Sequence, residues 1–283
     1  MGNIKFLTIY DDAREEILNR THMSLYKLAY LPVFYKVDDV SYLDGINATG
    51  RDFINIIKNN DDISSYGISS GVFQFVCEKL SERGYRSLFV VCPHGKWSDF
   101  YRSSKSATKK FYRNAINNNE TDIMPVYVYD SRAFGIGPVL MANRLSRMYA
   151  EGAMRLELLC SYAERFANSS ATYILTADNN VFGCSNELRA YRVSSTRVFP
   201  LDISQMGTDV KIDNFVHLLS KAIKMRYGRF AVSYGPDCDF VSDVAAQLET
   251  KYSCFPVVEA QYSIPTIKML GSRTLCVHLG DYI

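Results

Sequence analysis

Residues 86–99 read RSLFVVCPHGKWSD, and this stretch decides the fold. Its apolar run, Leu88 to Cys92, is too continuous for a half-exposed antiparallel strand and too short for a buried helix, so it predicts a central parallel strand. Gly95 lies in the short loop that follows, and Ser98 is a favourable N-cap for a helix after that loop. Open α/β sheets hold ligands at such strand ends, where helix amides also attract anions. We therefore look for function in this loop.

A helix is predicted on each side of this strand. The helix before it, residues 72–82, places apolar side chains on one stripe of a 3.6-residue period: Phe73, Val76, Cys77 and Leu80. The helix after it, residues 103–117, lies in a segment with five basic side chains: Arg102, Lys105, Lys109, Lys110 and Arg113. We interpret these charges as a solvated face, with docking of an acidic partner as the alternative.

The rest of the first half alternates short apolar strands with helices. Strands are predicted at residues 4–9, 31–37 and 125–129, and helices at residues 11–18, 136–151 and from a capping box at 49–52 to residue 59. Asp44-Gly45 predicts a turn, and residues 64–71, SSYGISSG, predict a polar loop. This alternation favours a parallel sheet with helices on both faces.

The pattern changes near Gly152, a typical helix C-cap, where we place a boundary between domains 1–152 and 153–283. The second half predicts helices at residues 154–167, 213–225 and 242–251, and strands at residues 172–176, 229–234, 257–262 and 273–278. Residues 197–201 and 208–212 predict a hairpin, residues 177–187 predict a polar turn region, and Asp213 predicts the cap of the helix that follows. The second domain should therefore be α+β with a more antiparallel sheet.

Composition excludes several classes of function. A length of 283 residues suits about two domains, and a net charge of +2 gives no case for nucleic acid or an anionic membrane as the main partner. No apolar run reaches the roughly 18 residues of a membrane span, so we expect a cytoplasmic protein without membrane insertion. The seven cysteines are scattered and never form a C-x-x-C pair, and the four histidines lack ligand-like spacing, so we expect no metal site.

The sequence contains no strong catalytic motif. A phosphate-binding loop, a nucleophile elbow, a dinucleotide fingerprint and a kinase signature are all missing from it. His94 and His278 are the best single candidates, since each is predicted at the end of a strand and lies close to a glycine. A solitary histidine is more often structural than catalytic, so we predict no catalytic residue.

Taken together, these loops resemble the DegV family of bacterial fatty-acid-binding proteins. The clearest stretches are Phe73 to Tyr101, Pro125 to Ala153 and Gly271 to Gly280, and the last resembles the family's segment that ends in His-x-Gly-Pro-Gly. The resemblance implies an α/β fold with a parallel-sheet N-terminal domain, an α+β C-terminal domain and a ligand cleft between them. It also implies a fatty acid as ligand and no cofactor.

The resemblance implies that two N-terminal loops and the C-terminal His-x-Gly segment surround the head group of the ligand. The implied ligand-binding residues are Ser65, Tyr66, His94, Gly95, Lys96, Trp97, Ser98, His278 and Gly280. This chain departs from the family pattern at several of these positions. Ser65-Tyr66-Gly67-Ile68 replaces Thr-Ser-Gln-Pro, His94-Gly95 replaces two serines, and Cys184-Ser185-Asn186 replaces the Gly-Gly-Arg turn. The chain also has Asp281-Tyr282-Ile283 where the family has Pro-Gly and a further strand.

The leading hypothesis is therefore a non-enzymatic carrier that presents a long-chain fatty acid to a separate, ATP-dependent fatty-acid kinase, as the resemblance implies. The alternative is an enzyme or phosphocarrier related to dihydroxyacetone kinase that uses His94 or His278. A scaffold without a ligand is a third reading.

Overall fold

The structure is a computed structural model that describes residues 4–9, 27–31, 34–37, 39–43, 47–48, 50–59, 63–66, 69–96, 98–152, 155–178, 187–193, 197–203, 208–225, 230–262 and 264–280. The described strands are β1 (Ile4–Ile9), β2 (Leu28–Leu31), β3 (Phe34–Val37), β4 (Val40–Leu43), β5 (Ile63–Tyr66), β6 (Ser87–Cys92), β7 (Val126–Asp130), β8 (Ala171–Thr176), β9 (Arg189–Val193), β10 (Val198–Leu201), β11 (Phe230–Tyr234), β12 (Pro256–Gln261) and β13 (Thr274–Leu279). The described helices are α1 (Gly50–Asn59), α2 (Ser70–Glu82), α3 (Asp99–Asn117), α4 (Gly137–Ala150), α5 (Leu156–Ser169), α6 (Thr208–Met225), α7 (Val241–Tyr252) and α8 (Ile264–Leu270).

The first sheet is parallel and has the strand order β2-β1-β6-β7. All six residues of β6 are buried, as the apolar run predicts. Alternate side chains of β6 point to opposite faces. Leu88 and Val90 pack in the same cluster as α2 and α3, whereas Phe89 and Val91 pack with α4 and α5. The predicted parallel sheet with helices on both faces is confirmed.

The second sheet is mixed and has the order β10-β9-β8-β13-β11-β12, with β11 and β12 as its parallel pair. Its central strands β8 and β13 are buried along their whole length. Leu275, Val277 and Leu279 of β13 pack with α6 and α7, while Cys276 belongs to the cluster shared with the first sheet. The second sheet therefore has one face on its own helices and one face on the first half of the chain.

A third, small antiparallel sheet corrects one prediction. Its order is β4-β3-β5, and β5 occupies residues 63–66, which overlap the start of the stretch 64–71 that is predicted to be a polar loop. Ser65 pairs with Tyr35 of β3. Because a serine-rich strand lacks the apolar alternation that identifies strands, its pairing depends on β3 rather than on its own sequence.

The predicted hairpin of residues 197–201 and 208–212 is wrong. Residues 198–201 do form β10, but this strand pairs antiparallel with β9, which the sequence did not reveal. Thr208 instead begins α6, so Asp213 lies inside the helix and is not its cap. The buried stripe Ile212, Phe215, Val216, Leu219 and Ile223 has helical spacing, and this stripe overrides the short alternation at 208–212. Helix α8 was also missed.

Three further predictions fall partly or wholly outside the described residues: the helix at 11–18, the turn at Asp44-Gly45 and most of the polar turn region at 177–187. The domain boundary near Gly152 stays a prediction. Gly152 does follow α4 with a positive φ of 71°. Helix α5, which comes after that boundary, packs through Leu159 and Phe166 in the same cluster as α4.

Candidate functional site

The loop after β6 is a tight turn built around the backbone of His94. The His94 N–H donates to the Ala133 carbonyl at 3.0 Å, and the His94 carbonyl accepts from the Ser98 N–H at 3.0 Å. The His94 Nδ1 accepts from the Lys96 N–H at 3.3 Å, so the proton of a neutral ring lies on Nε2. The ring is 2% exposed and stacks on Phe134, with 5.5 Å between the ring centroids. His94 therefore shapes this loop.

Gly95 is required in this turn by lack of space. A Cβ atom at this position would lie 2.6 Å from Cδ1 of Tyr101 and 2.7 Å from Oδ2 of Asp130. The other carboxylate oxygen of Asp130 accepts from the Arg132 N–H at 2.8 Å. The backbone at Gly95 thus lies directly against a carboxylate from the neighbouring strand end.

Ser98 begins α3 as the sequence predicts. Its Oγ accepts from the Phe100 N–H at 3.3 Å, and Asp99 adds a negative charge in the first turn. Lys96 is exposed beside this helix start, and Trp97 lies outside the described residues.

His278 lies inside β13 and is completely buried. Its Nδ1 is 2.9 Å from the Oγ1 of Thr172 on β8, and its ring stacks on Phe166 of α5. A Cβ atom at Gly137 would lie 2.8 Å from the His278 Cε1. His278 therefore faces the N-terminus of α4 across the joint between the two sheets.

The segment between β7 and α4 connects the two histidines. Phe134 stacks on His94, and Gly137 contacts His278 at the other end of the segment. Between them, the Ile136 N–H donates to the Oγ of Ser233 in β11 at 3.4 Å. The apolar patterns of the sequence do not predict a role for this segment, although the Gly-Ile-Gly-Pro run that begins at Gly135 is a signal of close backbone approach.

The other predicted ligand-binding residues can be located by the strand or helix next to them. Ser65 and Tyr66 end the strand β5, just before Ser69, whose side chain caps α2. Gly280 follows β13. The rings of Phe73 in α2 and Phe100 in α3 are 6.1 Å apart, so the starts of these two helices lie side by side. Ser65 belongs to the third sheet. The starts of α2 and α3 lie together, with the His94 loop leading into α3, and His278 lies at the joint between the two large sheets.

Burial makes two thiols of this region, Cys77 and Cys92, unreactive. Burial raises the pKa of the Cys92 thiol far above its ordinary value. Burial also raises the pKa of Cys77 to about 12. Both thiols stay protonated at neutral pH and cannot serve as thiolate nucleophiles. Within the described ranges, no group of three or more His, Cys, Asp or Glu side chains could hold a metal ion, and no helix is long and apolar enough to cross a membrane.

The sequence matches a family of known proteins. A sequence model of "Uncharacterised protein, DegV family COG1307" matches residues 15–181, more than half of the chain. The DegV domain-containing protein SACOL1460 of Staphylococcus aureus (strain COL) is 22% identical over 142 residues, which cover 50% of this chain and 47% of that protein. The DegV domain-containing protein TTE1491 of Caldanaerobacter subterraneus is 23% identical over 139 residues, or 49% of this chain and 46% of that protein. These matches span about half the length of the curated relatives.

Solved structures match over the whole chain. DegV, a fatty acid binding protein from Bacillus subtilis, has a TM-score of 0.77 at 14% identity and covers 99% of this chain and 100% of its own. The Fatty Acid Kinase (Fak) B3 protein of Streptococcus pneumoniae, loaded with linoleic acid, has a TM-score of 0.73 at 12% identity and covers 98% of this chain and 99% of its own. At these identities the comparison establishes the two-domain α/β fold.

Proposed function

Because this chain belongs to the DegV family, we propose that it binds a long-chain fatty acid, or a related lipid, in a cleft between its two domains without transforming it. The solved structures with the same fold support this proposal, since they include proteins described as binding fatty acids, such as stearic acid and linoleic acid. The predicted cleft and its head-group residues are part of the proposal.

The observation that carries the proposal is a continuous apolar cluster across the joint between the sheets. Phe73 and Phe134 of the first half share this cluster with Ile174, Tyr262 and Cys276 of the second half. Polar groups lie beside the cluster at the joint, including the buried imidazoles described above. An apolar region with a few fixed polar groups is the usual composition of a site for an amphipathic ligand.

Magnitudes indicate which part of the ligand dominates affinity. Burying an acyl tail gains about 0.8 kcal/mol per methylene, roughly 10 kcal/mol in all, whereas a hydrogen bond to a charged group contributes about 1.5 to 3 kcal/mol. The substitutions at Ser65 and at His94-Gly95 therefore change how the head group is held, while the tail still provides most of the binding energy. Ser65, Gly95 and His278 are the proposed contacts of the carboxylate.

The proposed partner is an ATP-dependent fatty-acid kinase, because the Streptococcus pneumoniae relative is named for one. A carrier that delivers its ligand to an ATP-consuming enzyme would work in the cytoplasm. The phosphocarrier alternative is less well supported, since His94 is 2% exposed and His278 is fully buried, and a phosphoryl acceptor must be reached by its donor.

Native mass spectrometry tests the proposal. Protein purified from bacteria should carry a bound mass that matches palmitic, stearic or oleic acid, and the stripped protein should take up oleic acid again. The proposal fails if the stripped protein keeps its circular dichroism spectrum but binds neither oleic nor palmitic acid.

A further inference from the structure

Helix α3 carries a concentrated positive charge. Residues 99–117 contain five basic side chains and one acidic side chain, Asp99. Lys105, Lys109 and Arg113 follow one another at four-residue spacing, and all three are exposed. Like charges at this spacing weaken a helix. No ion pair among the described residues includes any of the three, so the described part of the chain does not neutralise them.

Several of the cations on α3 are held in place by neighbouring groups. Arg102 pairs with Asp99 one turn earlier, and the Lys105 Nζ lies 4.8 Å from the centroid of the Tyr101 ring. The Lys110 Nζ donates to the Oγ of Ser70 at 3.1 Å and so links α3 to the first turn of α2. These contacts restrain Arg102, Lys105 and Lys110 on the helix surface.

The neighbouring surface of α2 adds exposed apolar groups. Val72 is 44% exposed and Phe75 is 57% exposed, one turn apart on the same helix. The Lys79 Nζ lies 5.6 Å from the centroid of the Phe75 ring. An exposed aromatic side chain is typical of the residues that anchor protein interfaces. We call the outer surface of these two helices, with Val72 and Phe75 on α2 and Lys105, Lys109 and Arg113 on α3, the α2–α3 face.

This face adjoins the proposed head-group site. Helix α2 begins after the segment that contains Ser65, and α3 begins at the loop formed by His94 to Ser98. The starts of the two helices lie side by side through Phe73 and Phe100. A protein that lies along the two helices would therefore reach the place where the head group is presented.

Acidic residues at the far ends of α2 and α3 favour a protein over a membrane as the partner of this face. An open groove of about 670 Å³ lies there, and its lining includes Glu78, Glu82 and Glu120. A flat anionic bilayer drawn to the basic residues would be repelled at this end, whereas a folded partner can match a basic region and an acidic region together. The mixed charge therefore favours a protein surface.

We propose that the α2–α3 face docks an acidic region of the protein that receives the bound lipid, with Lys109 and Arg113 as its main charged contacts. This inference rests on the proposed function, since it names the surface used by the kinase partner.

The test compares two charge reversals of equal size. Lys109→Glu with Arg113→Glu alters the proposed face, and Lys221→Glu with Lys224→Glu alters exposed lysines of α6 as the control. Oleic acid affinity should stay within about twofold in both variants. In acyl-phosphate synthesis with ATP and the fatty-acid kinase of the same organism, the KM for the oleate-loaded carrier should rise at least about tenfold only in the α3 variant, because electrostatic complementarity governs encounter. The kcat should change little.

An equal KM for the wild type and the α3 variant would overturn the docking face. The same holds if the α3 variant keeps its KM but loses binding to phosphatidylglycerol vesicles, since the face would then serve a membrane. A wild-type protein that binds oleic acid but is not used by the kinase would overturn the partner while the lipid-binding proposal stands. A wild-type protein that binds no oleic acid would overturn the proposed function and this inference together.

Discussion

Both large sheets place a glycine directly against an aspartate carboxylate, but the two arrangements differ. In the first sheet, Gly95 faces the Asp130 Oδ2, and a Cβ atom there would lie 2.7 Å from it. In the second sheet, Gly271 faces the Asp178 Oδ2, a Cβ atom would lie only 1.9 Å away, and the backbone has a φ of 92°. Space alone restricts Gly95, whereas Gly271 is restricted by both space and backbone conformation.

A close glycine–carboxylate contact therefore does not by itself identify a binding site. Around Gly271, the oxygen that faces the glycine is used internally, since the Arg273 N–H donates to the Asp178 Oδ2 at 2.7 Å. At Asp130 the Arg132 N–H donates instead to Oδ1, the oxygen that does not face Gly95. Around Gly95, the contact belongs to a loop that precedes a helix N-terminus and lies next to the joint between the sheets. The contact at Gly271 should matter for stability, and the contact at Gly95 for ligand binding.

The largest expected effect comes from Gly271→Ala. A side chain would oppose the positive φ and collide with Asp178, so the free energy of unfolding should fall by about 2 to 5 kcal/mol in urea titrations. Gly84→Ala is the matched control, because Gly84 has a φ of 76° but no atom within 4 Å of a new Cβ. The control should lose only about 1 to 2 kcal/mol. Equal losses would mean that the contact with Asp178 contributes nothing.

Gly95→Ala should separate binding from stability. The new methyl would press on Tyr101 and Asp130, and overpacking of this kind costs about 1 to 3 kcal/mol. The free energy of oleic acid binding should weaken by more than the free energy of unfolding falls, because the loop itself is displaced. Gly71→Ala serves as the control, since the nearest atom to its new Cβ is 3.8 Å away. A Gly95→Ala protein that is less stable but binds normally would remove this loop from the site.

Elements that depend on local sequence patterns can be predicted from the sequence, whereas those that depend on contacts between distant residues cannot. Strand β6 and helices α2 and α3 could be predicted, because their apolar patterns are local and continuous. Strand β5 could not, since Ser64 and Ser65 carry no apolar signal and their pairing depends on β3. The contact of Ile136 with Ser233 joins residues 97 positions apart, so the role of the segment between β7 and α4 becomes visible only in the fold.

Ser65→Ala tests whether the Ser65 hydroxyl contacts the carboxylate of the ligand. If this hydroxyl bonds the carboxylate, its removal should weaken oleic acid binding by on the order of 1 to 3 kcal/mol, with little change in the urea midpoint. Isothermal titration calorimetry measures the affinity, and Ser106→Ala on the exposed side of α3 is the control. Unchanged affinity would place the head-group contact elsewhere.

The smallest effect is a pH dependence at Asp178. Burial raises the pKa of its carboxyl above the ordinary value of 3.8, although the N–H and the charge of Arg273 oppose this shift and Asp237 adds to it. A carboxyl whose pKa is raised by folding binds its proton more tightly in the folded state. Its cost to stability therefore begins as the pH rises past the unfolded pKa and is complete above the folded pKa. Asp178→Asn keeps an oxygen for the Arg273 N–H but cannot ionise. The variant should therefore gain stability relative to the wild type as the pH rises from about 4 to 7, measured as the difference between their urea-derived free energies of unfolding. A difference that stays constant, or that falls over this range, would show that folding does not raise the pKa of Asp178.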